Sequence, residues 1–475
     1  MGEPVGYQIK ILNLLTGNLP YKRVMKMMDW LIERFGTAPS HPAFIHEGRS
    51  VSYGGVLDSI ADFRERIVAV GIQTGDTVVV MGDYSPEVFC LMLALAQKGC
   101  IVIPLTSNSV IEEAVALGVS GCDWYVEFNE EGTDADFTRR VIAADTVLLA
   151  DFRQRGAPGL VLFSSGSTGK PKGILHNFNL VVEKFRKQRQ AVIAIPFLMI
   201  DHFGGINTIL AITASLGTVV TVADRSLAKI CGAIQRYKVE LLPATPSFLT
   251  LLMASSLHRD FDLSSLKRIT YGTEVMPQST LNRLRKTFPD ITLQQTYGLS
   301  EVGVLRSQSR DDGSLWVRVG GEGFQTKIVN DVLWIKSEYA MVGYLNAPSE
   351  FDAEGWFNTQ DQVEVDGEYF RILGRVTDLI NVAGQKVYPA EVESVILDLD
   401  NVQDVAVFGE KHSLLGQIVV AKIVLDQPEA VESVKKRVRQ ACLAALAAFK
   451  VPAKVVLTDG VLHSARQKKI RHQGA

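Results

Sequence analysis

The stretch SSGSTGKPKG, Ser164 to Gly173, decides how the rest of the chain should be interpreted. It follows the strand-like run LVLF and combines small hydroxyl residues with glycines and two lysines. Such a loop could wrap a polyphosphate with its backbone amides, its hydroxyl groups and the charge of Lys172. Clusters of Gly, Ser and Pro are also typical of plain surface turns, so composition alone leaves both interpretations open.

A Walker phosphate loop does not fit this stretch. That motif needs G-x-x-x-x-G-K followed by Ser or Thr at the start of a helix, where free amides meet the phosphate. Here Gly166 and Gly169 are too close together, and Pro171 follows Lys170, which biases that lysine away from helical geometry. If the loop binds phosphate, it belongs to another class of protein.

Composition indicates a globular protein of more than one domain. The chain has 475 residues, of which 47% are hydrophobic, and a formal net charge of −3. This charge gives no indication of a nucleic-acid-binding or membrane-surface protein, and no apolar run approaches the roughly 20 residues of a membrane span. The five cysteines show no metal-ligand or disulfide spacing, so we expect buried thiols and a cytoplasmic protein without membrane insertion.

The pattern of strands and helices predicts an α/β protein. VVVMG, EVFCLMLALAQKG and IVIPL read as a βαβ unit, and similar units predict helix-covered, mostly parallel sheets over about residues 1–320. Short turn-rich strands follow and predict a small β-barrel-like subdomain, with a hairpin turn at Asp366–Gly367. We expect a large domain over residues 1–375 and a small α+β domain over residues 376–475.

Five motifs in the same order resemble the adenylate-forming superfamily, which contains acyl- and aryl-CoA synthetases, peptide-synthetase adenylation domains and firefly-type luciferases. Beyond the opening stretch, the matches are TYGLSE (296–301), GWFNTQDQVEV (355–365), GRVTDLINVAGQKVYPAEVE (374–393) and RQKKIR (466–471). The chain departs from the usual pattern at three positions, where Gln360 and Lys468 replace glycines and Thr377 replaces Asp or Lys. Together the motifs span about 300 residues.

The resemblance implies ATP, Mg²⁺ and a thiol acceptor, either CoA or a carrier-protein phosphopantetheine. It implies that the phosphate loop holds the β and γ phosphates, that Glu301 holds Mg²⁺ and that Asp361 accepts hydrogen bonds from the ribose hydroxyls. The implied ATP-binding residues are Ser164, Ser165, Gly166, Ser167, Thr168, Gly169, Lys172, Gly272, Thr273, Tyr297, Gly298, Ser300, Asp361 and Arg375. The implied catalytic residues are Lys469, Glu301, Thr168 and His202.

The small domain of the family swings between two poses, one for each half-reaction. Lys469 aligns with the lysine that bridges the substrate carboxylate and the α-phosphate, and Lys468 is the alternative assignment. Thr377 aligns with the hinge, and Gly384 aligns with a position that lines the thiol tunnel. A cluster of basic residues near a chain end is otherwise typical of a solvated tail.

The sequence gives the least information about which carboxylic acid is the substrate. PFLMIDHFGGIN (196–207) resembles the segment that carries the gate of the acyl pocket, which nominates His202. Amino-acid-activating relatives have an aspartate just after the gate, where this chain has Phe203, and alternation along an extended segment would turn Asp201 away from His202. We therefore expect an aryl or fatty acid, with pocket walls at His202, Phe203, Thr245, Phe248, Gly272, Val275 and Met276.

The resemblance leads to a prediction of an ATP-dependent acid:thiol ligase whose partners are a small carboxylic acid and CoA or a carrier protein. Three alternatives remain open. A free-standing adenylation domain would load a carrier protein with an amino acid, a phosphotransferase would release ADP, and a non-catalytic relative would bind the nucleotide without pyrophosphate exchange.

Overall fold

The structure is a computed structural model of the chain, and it describes residues 28–107, 109, 113–129, 132–143, 146–164, 171–311, 313–463 and 469. The described helices are α1 (Asp29–Gly36), α2 (Tyr53–Val70), α3 (Pro86–Lys98), α4 (Glu113–Ser120), α5 (Val147–Gln154), α6 (Phe178–Glu183), α7 (Phe203–Thr213), α8 (Leu227–Tyr237), α9 (Pro246–Ser255), α10 (Gln278–Thr287), α11 (Pro389–Leu397) and α12 (Val431–Ala445). Short 3₁₀ turns cover Leu257–Arg259, Val376–Asp378 and Ala448–Lys450.

The described strands form four sheets. They are β1 (Pro42–His46), β2 (Arg49–Ser52), β3 (Thr77–Met81), β4 (Ile101–Leu105), β5 (Cys122–Phe128), β6 (Ala135–Ile142), β7 (Gly159–Ser164), β8 (Lys172–Asn177), β9 (Ile193–Ala194), β10 (Thr218–Val220), β11 (Leu241–Ala244), β12 (Arg268–Tyr271), β13 (Thr292–Gln295), β14 (Tyr297–Leu299), β15 (Gly303–Ser309), β16 (Trp316–Gly320), β17 (Phe324–Val329), β18 (Val332–Ser337), β19 (Gly343–Tyr344), β20 (Phe357–Asp366), β21 (Tyr369–Arg375), β22 (Ile380–Val382), β23 (Gln385–Val387), β24 (Val402–His412), β25 (Gly416–Leu425) and β26 (Lys454–Leu457).

The predicted βαβ unit is confirmed by β3, α3 and β4. The two strands pair in parallel with Thr77 opposite Ile101, and α3 crosses between them. Ser85 begins the helix because its hydroxyl accepts from the Val88 amide, and Gly99 ends it with a φ of +83° that favours glycine. Apolar side chains of α3 pack into the main core, which fixes the sheet from which β7 and the phosphate loop emerge.

Two sheets of the large N-terminal part are mixed or mostly parallel, and a third is antiparallel. The first has the order β13-β12-β11-β9-β10-β1-β2, and the second β19-β8-β7-β4-β3-β5-β6. The third has the order β14-β15-β16-β21-β20-β18-β17, and its β20–β21 hairpin turns at Gly367, as predicted. The α/β fold class is thereby confirmed.

The expectation of parallel sheets up to about residue 320 is wrong for several strand pairs, beginning with β1–β2 and β5–β6, which run antiparallel. Strand β7 pairs antiparallel with β8, and the antiparallel sheet already begins at Tyr297. The physical reason is the length of the connections, since parallel neighbours need a crossover of a dozen or more residues. Only Ser300, Glu301 and Val302 separate β14 from β15, so these strands must run in opposite directions.

The C-terminal part has a core of its own, formed by β22–β26, α11 and α12. Its strands β24 and β25 pair over their whole length, with Val402 opposite Leu425. The part also contacts the large domain, for example through Arg283, whose guanidinium donates to the Leu397 carbonyl at 2.5 Å. These contacts set the pose in which the C-terminal residues meet the candidate site.

All five cysteines are buried and unpaired, as the sequence predicts. They are Cys90, Cys100, Cys122, Cys231 and Cys442. Among the described helices, none combines the length and the apolar character that a membrane crossing would require.

Candidate active site

The phosphate loop lies between β7 and β8, and Ser165, Gly166, Ser167, Thr168, Gly169 and Lys170 fall outside the described residues. Its two ends are described. Ser164 ends β7 and pairs with Lys172 across the ladder, and Asn346 fixes the far end by donating to the Pro171 carbonyl at 2.7 Å and accepting from the Gly173 amide at 3.0 Å. The loop therefore starts and ends at adjacent points of one sheet edge.

Lys172 and Glu301 lie on either side of Tyr344. The Lys172 ammonium is 2.5 Å from Glu350 Oε1 and 4.7 Å from the Tyr344 ring, and the Tyr344 hydroxyl donates to Glu301 Oε1 at 2.9 Å. Burial raises the pKa of Tyr344, and the Glu301 charge raises it further, so the hydroxyl stays a donor. The loop lysine and the proposed Mg²⁺ ligand are thus brought together.

Asp361 is a buried carboxylate on β20. Its Oδ2 accepts from the Tyr297 hydroxyl at 2.5 Å, and its Oδ1 lies 3.5 Å from Arg375 Nε. Burial raises the pKa of Asp361, while the Arg375 charge opposes that shift. Each carboxylate oxygen can accept more than one hydrogen bond, so Asp361 keeps capacity for ligand hydroxyls.

The Arg375 guanidinium interacts electrostatically with both carboxylates of the site, Asp361 and Glu301. Burial lowers the pKa of Arg375, but the charges of Asp361 and Glu301 outweigh burial and raise it above its ordinary value. Two acidic side chains that are 60 residues apart in sequence therefore act on one guanidinium. The structure brings together Lys172, Glu301, Asp361 and Arg375, as the motifs imply.

The departure at Gln360 has a backbone explanation. Gln360 has a φ of +59°, a left-handed conformation in which glycine is the ordinary residue. The Asn358 side chain accepts from the Gln360 amide at 2.9 Å and stabilises this conformation locally. The glutamine therefore keeps the turn that presents Asp361, at a cost of about 1–2 kcal/mol.

Gly272 and Thr273 form a tight loop after β12. A side chain at Gly272 would come within 2.4 Å of the Thr296 hydroxyl, so glycine is required there. Thr273 is exposed with a φ of +72°, and the neighbouring Glu274 accepts from the Ser247 hydroxyl at 2.6 Å. The exposed Thr273 therefore places this loop at the surface of the candidate site. A Cβ at Gly298 would likewise come within 2.7 Å of the Gly303 carbonyl oxygen, so the glycine lets β14 and β15 approach closely.

Lys469 lies at the boundary between the two parts of the chain, whereas Lys468 is outside the described residues. Its backbone amide donates to Glu274 Oε1 at 2.6 Å, next to the Gly272–Thr273 loop. Its ammonium is 3.2 Å from Asp404 Oδ1 on β24, and both side chains are only 4% exposed. In this pose the lysine is beside the candidate nucleotide loop but is paired with a carboxylate of the small domain.

His202 begins α7, because its Nδ1 accepts from the Gly204 amide at 3.0 Å. The expectation of an extended segment through Asp201, His202 and Phe203 is therefore wrong, because a helix begins at Phe203. His202 remains partly exposed, and Asp201 and Phe203 are both buried. The Phe203 ring lies next to Gly303, because a Cβ added at that glycine would be 3.8 Å from the ring.

The other predicted pocket walls lie on α9 and on the loop after β12. Thr245 caps α9 by accepting from the Phe248 amide, and Phe248 packs against Phe197 with ring centroids 4.6 Å apart. Met276 is buried, whereas Val275 is partly exposed. Thr245 and Phe248 thus have structural roles in the core as well as their predicted place beside the pocket.

Thr377 and Gly384 do not lie against the site in this pose. Thr377 is exposed in the 3₁₀ turn between β21 and β22. Gly384 forms the β22–β23 turn with a φ of +85°, and a Cβ there would meet no atom within 4 Å. The glycine is explained here by backbone conformation, since both central residues of this two-residue turn, Ala383 and Gly384, have positive φ.

Three residues that organise the site were not predicted from the sequence, namely Tyr344, Asn346 and Glu350. They lie far along the chain from the residues they contact, and none belongs to a motif on which the resemblance rests. Ser300 lies in the short connection between β14 and β15, directly before Glu301. The implied contact of Ser300 with phosphate stays a prediction.

Comparisons with known proteins show the family to which the chain belongs. The chain matches the family model described as AMP-binding enzyme over residues 32–345, and the model for its C-terminal domain over residues 391–469. It is 25% identical to indoleacetate–CoA ligase of Aromatoleum aromaticum over 94% of this chain and 96% of that protein. It is also 25% identical to 2-succinylbenzoate–CoA ligase of Bacillus subtilis, over 94% and 97% of the two chains. A crystal structure of an anthranilate CoA ligase in complex with anthranoyl-AMP shares the fold, with a TM-score of 0.80, 18% identity, and coverage of 93% and 95%.

Proposed function

Because the chain belongs to the AMP-binding enzyme family, we propose that it joins a carboxylic acid to the AMP moiety of ATP and then to a thiol. The acid is aryl or fatty, and the thiol is that of CoA or of a carrier-protein phosphopantetheine. The observation that carries the proposal is the gathering of Lys172, Glu301, Asp361 and Arg375 beside the ends of the phosphate loop. The two relatives support a small acid with a ring and support CoA as the acceptor, since their names state that chemistry.

In the first half-reaction a carboxylate oxygen bonds to the α-phosphorus, and the bond from that phosphorus to the pyrophosphate oxygen breaks. Both reactants are anions, so cations and donors aimed at the developing charge lower the barrier. In this proposal Lys172 neutralises charge on the departing pyrophosphate, and Lys469 bridges the carboxylate and the α-phosphate. In the second half-reaction the thiol loses its proton, its sulfur bonds to the carbonyl carbon, and AMP leaves.

Glu301 is the residue that would hold Mg²⁺. Within the described ranges, no group of three or more His, Cys, Asp or Glu side chains could form a protein cage for a metal ion. This fits Mg²⁺, which keeps several waters and binds through one or two carboxylates together with substrate phosphates. When bound, the ion would neutralise phosphate charge beside Glu301.

The test is carboxylate-dependent exchange of labelled pyrophosphate into ATP, run over a panel of aryl, fatty, dicarboxylic and amino acids. We expect exchange with at least one acid that lacks an α-amino group. Exchange with amino acids alone would favour the carrier-loading alternative, and release of ADP would indicate a phosphotransferase. Nucleotide binding without exchange for any acid would contradict the proposal and indicate a non-catalytic relative.

A second assay identifies the acceptor. CoA and a holo-carrier protein are offered separately to the enzyme with the acid that supports exchange, and AMP release is measured. Acceleration by CoA alone identifies a CoA ligase. Acceleration by the carrier alone identifies a carrier-loading enzyme.

Gly384→Leu should impair thioester formation while sparing pyrophosphate exchange. A bulky side chain in the proposed thiol tunnel misplaces the thiol, and a displacement of about 1 Å can cost about 10²-fold in rate. The measurement is thioester formation from supplied acyl-adenylate, beside exchange on the same preparation.

The matched control for this variant is Gly416→Leu. Gly416 has a φ of +73° in the same part of the chain, so leucine there introduces comparable backbone strain. Equal loss of thioester formation in both variants would attribute the effect to strain and would remove Gly384 from the tunnel.

A further inference from the structure

Lys184 follows α6 directly and places a cation inside the large domain. Its ammonium donates to Asn207 Oδ1 at 2.7 Å and to the Val304 carbonyl oxygen. Burial, together with the charges of Arg189 and Arg306, lowers the pKa of Lys184 to about 7. No carboxylate among the described residues contributes to this pKa shift. The amine is therefore sheltered from water without an acidic partner among those residues.

This arrangement is unusual on energetic grounds. Lysine is rarely sheltered from water unless it is paired, because removing an ammonium from water costs several kcal/mol. Here the protein supplies two neutral acceptors and the faces of Phe185 and Phe324, at 5.3 and 5.9 Å. An apolar side chain of similar volume would fill the same place at less cost. The missing counter-charge is therefore what a ligand could bring.

The amine contacts α7, the helix that begins at the proposed acyl gate. Phe203 and Asn207 are four residues apart on α7, so they share one face of the helix, about 6 Å from each other along its axis. The Phe203 ring approaches Gly303, and the next residue, Val304, provides the carbonyl that accepts from Lys184. Lys184 therefore lies about one helical turn beyond Phe203.

The two charges that act on the pKa of Lys184 have the same sign as its ammonium. Arg189 and Arg306 both lie near enough to act on its pKa, and neither forms an ion pair with a described Asp or Glu. Like-charged neighbours repel one another and attract an anion. A negatively charged group beside Asn207, in the first half of α7, would be stabilised by all three cations.

We propose that Lys184 is a specificity-determining residue, and that it binds a second carboxylate at the far end of the acid. The substrate class is then a dicarboxylic acid, of which one carboxyl group is activated and the other pairs with the Lys184 ammonium. This inference rests on the proposed function, because it assumes that the acyl group enters past His202 and Phe203.

The test compares a dicarboxylic acid with its monomethyl ester in the pyrophosphate exchange assay. The ester has nearly the same shape but lacks the distal charge. We expect the wild-type enzyme to prefer the diacid in kcat/KM, and Lys184→Met to reduce that preference by about 10- to 100-fold, which corresponds to one hydrogen bond to a charged group. The loss should appear mainly in KM, since the distal contact is made equally in the bound substrate and in the transition state.

Lys187→Met is the matched control, because Lys187 is an exposed lysine three residues further along the chain. It should leave the preference unchanged. If Lys184→Met does not fold, Lys184→Gln replaces it in the comparison, because a glutamine amide can donate hydrogen bonds toward Asn207 and Val304 without carrying a charge. The preference for the diacid over the ester should fall in this variant too.

The outcomes separate this inference from the proposed function. Exchange with apolar acids but no preference for the diacid in the wild-type enzyme would overturn the inference and leave the proposed function intact. A preference that survives Lys184→Met or Lys184→Gln would overturn it as well. Absence of exchange with every acid would overturn both.

Discussion

Lys469→Ala should reduce carboxylate-dependent pyrophosphate exchange by about 10²- to 10³-fold, the usual cost of removing one donor aimed at transition-state charge. Thioester formation from supplied acyl-adenylate should remain close to that of the wild-type enzyme, because the lysine serves the first half-reaction alone. The measurement is both half-reactions on one preparation. Equal loss of both would contradict the two-pose mechanism.

The contacts of Lys469 require a control for stability. Removing the lysine leaves the buried Asp404 carboxylate with His463 Nδ1, at 3.5 Å, as its basic neighbour, and breaking a buried ion pair costs about 3–5 kcal/mol. Combining Lys469→Ala with Asp404→Asn removes the unpaired charge, so most of that stability should return in a denaturant titration. Exchange should stay low in the double variant if the lysine is catalytic, and it should recover if the lysine only neutralises Asp404.

Lys468→Ala separates the two candidate lysines. We expect exchange to remain close to that of the wild-type enzyme in this variant. A loss as large as that of Lys469→Ala would transfer the catalytic assignment to Lys468.

Asp361→Ala should weaken ATP binding by about 10- to 150-fold, since a hydrogen bond to a charged group contributes about 1.5–3 kcal/mol. The variant also leaves the Tyr297 hydroxyl and the Arg375 guanidinium without their buried acceptor. Calorimetric titration with ATP measures the change directly. An unaltered affinity would remove Asp361 from the nucleotide site.

Tyr297→Phe is the control for Asp361→Ala. It removes the hydrogen bond to Asp361 Oδ2 but keeps the carboxylate and its contact with Arg375. The loss of ATP affinity should therefore be clearly smaller than in Asp361→Ala. Similar losses would mean that the orientation of the carboxylate, rather than its charge, determines binding.

Local signals in the sequence were sufficient where structure depends on neighbouring residues. The βαβ unit from Thr77 to Leu105 follows from apolar runs and from the Ser85 and Gly99 boundaries of its helix. The β20–β21 hairpin follows from Asp366–Gly367. The motif resemblance also identified Glu301, Asp361 and Arg375, which the fold brings within reach of each other.

The sequence was insufficient where a contact joins distant parts of the chain. Tyr344 reaches Glu301 across 43 positions, and Lys184 reaches Val304 across 120. No spacing rule connects such residues, because the sheet order determines which of them meet. The start of α7 was also missed, since the residues before Phe203 include a proline and an apolar run that are compatible with a strand.

The burial of the cysteines has a consequence for the fate of the activated acyl group. Burial raises the pKa of all five thiols, so near neutral pH they stay protonated, and the protonated form is a poor nucleophile. The enzyme's own sulfur atoms therefore do not compete with the incoming thiol for the mixed anhydride. When CoA is offered as the acceptor, a colorimetric thiol assay on the undenatured reaction mixture should accordingly report the consumption of CoA. The buried cysteines of the enzyme should add no background signal.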